Sequence, residues 1–221
     1  MTDDHERSRL KKETAISGLV EKVYDLMAED RDEEATEVWV EIAEHIWPLI
    51  DDVIAGLSLD KKPTEDKVDR SYDKPYDLNS VLADADVALA YGKKHEERLA
   101  FSRRFLDTFD VSKERYQDIS ARQAIAESLN GLERYEECDR FLKQWKEENP
   151  AEVYPDFVYL RCLCDRKDLE KARQLADKYM TVDEFDAPME DVRMLYEMAS
   201  LIYGELGEEE LRQKAEEKMN E

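Results

Sequence analysis

Between residues 119 and 180 the apolar pattern repeats at a fixed interval. Ile125, Leu129, Tyr135, Cys138, Leu142 and Trp145 are matched, 34 residues later, by Tyr159, Leu163, Leu169, Ala172, Ala176 and Tyr179. A helix, a tight turn and a second antiparallel helix fill such an interval. Neither helix pair can bury its apolar face alone, so each must stack on a neighbour. The period therefore predicts a stack of helix pairs.

The pattern extends in both directions. Stepping back 36 residues, Leu99, Ser102, Leu106 and Phe109 take the places of Tyr135, Cys138, Leu142 and Trp145, with "YDLNSVLADADVALAYGKK" as the preceding helix. Stepping forward 39 residues, Ala172 and Ala176 reach Leu211 and Ala215, and the added length fits a longer loop around "TVDEFDAP". A last pair near 189–204 and 208–220 caps the stack. Upstream, 6–29 and 33–55 read as a further antiparallel pair joined by the acidic turn Glu29 to Asp32. Composition agrees: six Gly, six Pro and 40% charged residues suit helices with wet outer faces, and 42% hydrophobic residues suit a folded core.

The expected fold is thus an all-α superhelix, a solenoid of about five antiparallel helix pairs. Its parts are an N-terminal pair over 1–57, a flexible loop over 58–77, and repeats with a C-terminal capping pair over 78–221. The loop, "LSLDKKPTEDKVDRSYDKPYD", holds Pro63 and Pro75, and a connection this long in a compact chain is either functional or poorly ordered.

"ARQAIAESLNGLERYEECDRFLKQWKEENP", residues 121–150, resembles a tetratricopeptide repeat. Tyr135 resembles the aromatic that opens the second helix of that repeat, Cys138 replaces its usual small Ala, and Pro150 closes the unit. Arg122 stands where a large aromatic is common, and Ala126 where Gly is common. The order "ATEVWVEIAEHIW", "RLAFSRRFLDTF", "AIAESLNGLERYEECDRFLKQW" is similar, over roughly residues 33–180, to the helical region of bacterial proteins that often carry a C-terminal SEC-C zinc motif. The sequence ends in "EEKMNE", without the Cys- and His-rich tail of those proteins. The resemblance implies a bacterial, TPR-like binding protein and no particular chemistry.

Charge and motifs restrict function further. A net charge of −23 repels the phosphate backbone and anionic lipid, so direct nucleic-acid or membrane binding is not expected. A secretory leader is not expected from the opening residues, and no stretch of 18 uncharged apolar residues occurs in the sequence. Three cysteines, Cys138, Cys162 and Cys164, make an odd set that suits a reduced cytoplasmic setting. "HEERL" at 95–99 begins like a metalloprotease helix, but Leu99 stands where a second His would be required. Cys162-x-Cys164 is too closely spaced for a tetrahedral zinc pair, so both read as small buried hydrophobes. No nucleophile elbow, P-loop or dinucleotide turn occurs. His45 follows Glu41 by four residues, within reach for an exposed ion pair. Trp39, Trp47 and Trp145 fall at core positions of amphipathic helices. No catalytic residue, metal site or cofactor is expected.

Two surfaces remain as binding candidates. No Lys or Arg occurs from Asp32 to Asp60, and Glu33, Glu37, Glu41, Glu44, Asp51 and Asp52 form an acidic ridge along one helix. A basic partner would be steered to it, and a solvated face is the simpler reading. By the repeat resemblance, a concave groove would be lined by Asp84, Val87, Tyr91, Lys94, Ser120, Gln123, Glu127, Asn130, Tyr154, Phe157 and Arg161. The expected function is a non-catalytic interaction module that binds a protein or peptide, basic if the ridge is used. The alternative is an acidic inhibitor or nucleic-acid mimic that blocks a basic site. The sequence leaves oligomeric state open.

Overall fold

The structure is a computed structural model that describes residues 3–57, 59–71, 76–182, 185 and 187–220. Among the described residues the chain forms eleven helices and no strand, and it divides into two compact units, Met1–Leu132 and Glu133–Glu221. The fold class is all-α, as the periodicity predicts. The boundary falls at Leu132, within the stretch that the repeat pattern treats as continuous, and not at 58–77.

The first unit holds α1 (Asp3–Ala28), α2 (Asp32–Gly56), the short α3 (Glu65–Asp69), α4 (Leu78–Tyr91), α5 (His95–Thr108) and α6 (Arg115–Gly131). The unit packs around α2, where Val38, Trp39, Ile42, Ile46, Ile50 and Val53 are all buried. They recur at three- and four-residue steps, so one stripe faces α1 and the other neighbours α4 and α5. Each such side chain contributes about 1.5–3 kcal/mol by leaving water. Trp47 meets Phe101 of α5 at 5.1 Å between ring centroids and Phe109 at 6.3 Å, which ties α2 to the end of α5. Trp39 and Trp145 are buried as well, so all three tryptophans are packing residues.

The second unit holds α7 (Tyr135–Glu148), α8 (Tyr154–Asp165), α9 (Leu169–Met180), α10 (Met189–Leu206) and α11 (Glu209–Asn220). Leu160, Leu163, Ala172, Ala176, Ala199 and Ile202 meet in its core. Small Ala172 and Ala176 let α9 lie close to α8 and α10. Tyr179 donates to the Asp156 carboxylate, and Tyr203 donates to Asp177 at 2.8 Å.

The turns within the pairs share one backbone device. Asp30, Lys93, Lys167 and Gly207, at the turns after α1, α4, α8 and α10, all have φ between 54° and 73°. Glu133, after α6, has φ 59°. A left-handed residue just past a helix end reverses the chain within a few residues. Glu133 and Lys167 are themselves 34 residues apart, so the backbone repeats with the sequence period.

The segment 58–77 differs from its sequence reading as a flexible loop. Ser58 and 72–75 lie outside the described residues, but the rest is tied down. Thr64 caps α3 by accepting from the Lys67 N–H, and Val68 is fully buried. The Asp110 N–H donates to the Pro63 carbonyl at 2.7 Å, Arg9 donates to the Ser71 carbonyl, and Tyr76 donates to the Ser17 carbonyl. These partners lie more than thirty residues away in sequence, so no local pattern announces them.

Candidate functional site

α3, α4, α5 and α6 enclose a cavity of about 520 Å³ in the first unit. Leu82, Phe101, Phe105 and Ala121 make an apolar floor, each of them buried. The rim carries two exposed apolar side chains, Val87 at 51% exposure and Tyr116 at 64%. It also carries Glu65 from α3, Glu114 from the turn before α6, and Asp86 from α4.

The three carboxylates are not equivalent. Asp86 is held from behind by Arg98, whose Nε and Nη2 donate to it at 2.9 and 3.0 Å, while Arg98 Nη1 donates to Glu127 at 2.8 Å. Arg98 is only 8% exposed, so two carboxylates balance one buried guanidinium. Burial alone would lower its pKa, but the hydrogen bonds it donates to Asp86 and then Glu127 leave it raised. Glu65 has no such cation among the described residues. Burial first, then the nearby charges of Asp69, Asp77 and Glu114, push its carboxyl up to about 7. A carboxyl in that state gains from a positive charge placed beside it. The cavity thus offers an apolar floor and a negative rim with one wall already neutralised.

Of the groove residues read from sequence, Val87 and Ser120 line this cavity. Tyr91 lies one helical turn beyond Val87 and is 85% exposed. The others in this unit are occupied elsewhere. Lys94 pairs with Glu37 at 2.6 Å, Gln123 donates to Glu127 at 2.8 Å, Glu127 accepts from Arg98, and Asn130 is buried. Asp84 accepts from Tyr24 at 2.9 Å. In the second unit, Tyr154 and Phe157 meet edge to face at 6.1 Å against the core, and the Arg161 guanidinium lies 5.7 Å over the Phe157 ring. Those three side chains already satisfy one another in part.

The acidic ridge is less bare than the sequence suggests. Glu37 pairs with Lys94, Asp51 with Arg104 at 2.7 Å, and Asp52 with Lys12 at 2.6 Å. The cations come from α1, α5 and the turn before α5, so a scan along α2 alone cannot see them. Glu33, Glu41 and Glu44 are exposed and form no ion pair among the described residues. His45 turns its Nδ1 to the Glu41 carbonyl at 2.8 Å, so the expected contact with the Glu41 carboxylate is replaced by one to the backbone. His95 packs its ring against Gly131, where an added Cβ would meet it at 2.4 Å. Among the described residues, no group of three or more His, Cys, Asp or Glu converges as metal ligands.

Sequence reasoning missed Glu65, Asp86, Phe101, Glu114 and Tyr116. Phe101 carried a signal, since it stands four residues before Phe105 in α5 and so shares its helical face. Glu65 carried none, because its segment shows no helical periodicity long enough to read.

No family model, curated protein or solved structure matches the chain.

Proposed function

We propose that the protein is a non-catalytic interaction module of tetratricopeptide-like architecture that binds a segment of a partner protein in the cavity between α4, α5 and α6. The segment places an apolar side chain on the floor of Leu82, Phe101 and Phe105, and a lysine or arginine at Glu65 and Glu114. One observation carries this reading: a cavity of about 520 Å³ joins a buried apolar floor to a rim where Val87 and Tyr116 stand exposed near the carboxyl groups of Glu65 and Glu114. Binding sites commonly combine an apolar body with a few placed polar groups, and aromatic side chains commonly anchor interfaces. The net charge of −23 speeds encounter with a basic partner.

The alternative, an acidic inhibitor acting through the α2 ridge, draws support from the net charge of −23 and from the exposed Glu33, Glu41 and Glu44. Three of the six ridge carboxylates are already paired within the chain, which reduces the field available to a partner.

Fluorescence anisotropy with labelled peptides tests the proposal. The panel pairs Lys or Arg with Leu or Phe, and its controls replace the base by Glu or norleucine. The proposal expects the basic, apolar members to bind, and to lose binding in a Ser120→Trp variant that fills the cavity mouth. Equal binding across the panel, or binding unchanged by Ser120→Trp, contradicts it.

A further inference from the structure

In the second unit, the Cys138 sulfur on α7 lies 4.0 Å from the Cys162 sulfur on α8, and both side chains are buried. Their separation in sequence, 24 residues, hides the pairing, whereas the nearer Cys162-x-Cys164 spacing draws the eye. Residues two apart on a helix differ by about 200° in direction, so Cys164 faces away from that contact. Cys164 is half-buried beside other groups.

The pair has charged neighbours. Arg166, one turn after Cys162 on α8, lies beside Cys138; its Nη1 donates to Asp139 at 2.6 Å, and its guanidinium stacks 4.6 Å over the Tyr135 ring. The Asp139 and Tyr135 contacts hold the cation at this end of α7. Contact with the Cys162 thiol, opposed by burial and helped by the Arg166 charge, sets the Cys138 pKa below its ordinary value. Burial raises that of Cys164. A thiolate is the nucleophilic form of cysteine, so the two sites differ in reactivity.

We infer that Cys138 and Cys162 form a modification site, a dithiol that hydrogen peroxide converts into a disulfide joining α7 to α8. The Cys138 thiolate attacks one peroxide oxygen; the O–O bond breaks, a sulfenic acid forms, and the departing hydroxide takes up a proton to become water. The Cys162 sulfur then attacks the Cys138 sulfur. The S–O bond breaks, and the leaving hydroxide takes the Cys162 proton to give a second water. Two thiols are oxidised by two electrons in total and one peroxide is reduced. To bond, the sulfurs move from 4.0 Å to about 2.05 Å, an approach that side-chain rotation and a small helix shift can supply. The oxidant is small enough to enter through local opening of α7, the first helix of its unit.

The test oxidises the intact protein with hydrogen peroxide, counts thiols after denaturation, and maps the linkage by trypsin digestion and mass spectrometry. Cleavage after Arg134, Arg140, Arg161 and Arg166 releases 135–140 with Cys138 and 162–166 with Cys162 and Cys164. The expected result is loss of two of the three thiols and a peptide joining 135–140 to 162–166, reversed by dithiothreitol. That linkage persists in Cys164→Ser, which leaves the buried pair untouched, and is lost in Cys162→Ala. The inference is overturned if Cys164→Ser abolishes the linkage, or if all thiols survive peroxide that oxidises a free cysteine in the same solution.

Discussion

The Arg98 guanidinium grips the Asp86 carboxylate through two hydrogen bonds of 2.9 and 3.0 Å, behind the wall of the candidate binding cavity. Its third hydrogen bond, to Glu127, brings α6 into the same network. Removing the cation leaves two carboxylates facing each other in a poorly solvated place. Arg98→Ala is expected to destabilise the first unit by about 3–5 kcal/mol, the range for breaking one partner out of a buried ion pair. Arg98→Lys should recover only part, because a lysine cannot reproduce the two-pronged contact. Urea unfolding midpoints measure both; an Arg98→Lys variant as stable as the native protein would show that geometry adds nothing here.

Glu65 makes a prediction about pH. Its folded pKa, about 7, lies above its unfolded value because burial disfavours the charge. The folded state therefore holds its proton longer than the unfolded state does. The resulting stabilisation is fully present below the unfolded pKa and is lost as pH rises through about 7. Glu65→Gln, which cannot ionise, should lose less stability than the native protein when thermal melts at pH 5 and pH 8 are compared. Identical pH profiles for the two proteins would remove the buried carboxyl from the account.

The left-handed turns predict opposite signs at equivalent places. Lys167, with φ 62°, bears a steric cost that glycine does not, so Lys167→Gly should stabilise the second unit by up to about 1 kcal/mol. Gly207, with φ 73°, already avoids that cost, so Gly207→Ala should destabilise by about 1 kcal/mol. Melting curves for the two variants shifting in the same direction would refute a shared turn.

The helices were legible wherever apolar residues recur at helical steps over three or more turns. α2 with Trp39 and Trp47, and the stretch from Ile125 to Tyr179, are examples, and most of their apolar side chains are buried or half-buried. Charges were misread where the partner is distant in sequence. Lys12 on Asp52, Lys94 on Glu37 and Arg104 on Asp51 reach across from α1, the turn before α5 and α5, so a ridge that looks bare along α2 is half neutralised. The cavity was half legible for the same reason. Val87 and Ser120 follow from the face of a helix, but Glu65 arrives from a five-residue helix in a segment that reads as loop. The Arg98 network hid within an amphipathic pattern that gives no sign of which charged residue turns inward.

The central claim is that the cavity between α4, α5 and α6 receives a basic, apolar peptide. Backbone amide chemical shifts, followed by NMR as a Leu-Lys-Leu peptide is added at pH 6 and pH 8, test it most directly. The account predicts shifts concentrated at Glu65, Val87, Phe101, Tyr116 and Ala121. It also predicts tighter binding at pH 8, because Glu65 must lose its proton to meet the lysine. Shifts centred on Glu33, Glu41 and Glu44 instead, or an affinity for this peptide no greater than for its Leu-Glu-Leu counterpart, would contradict it.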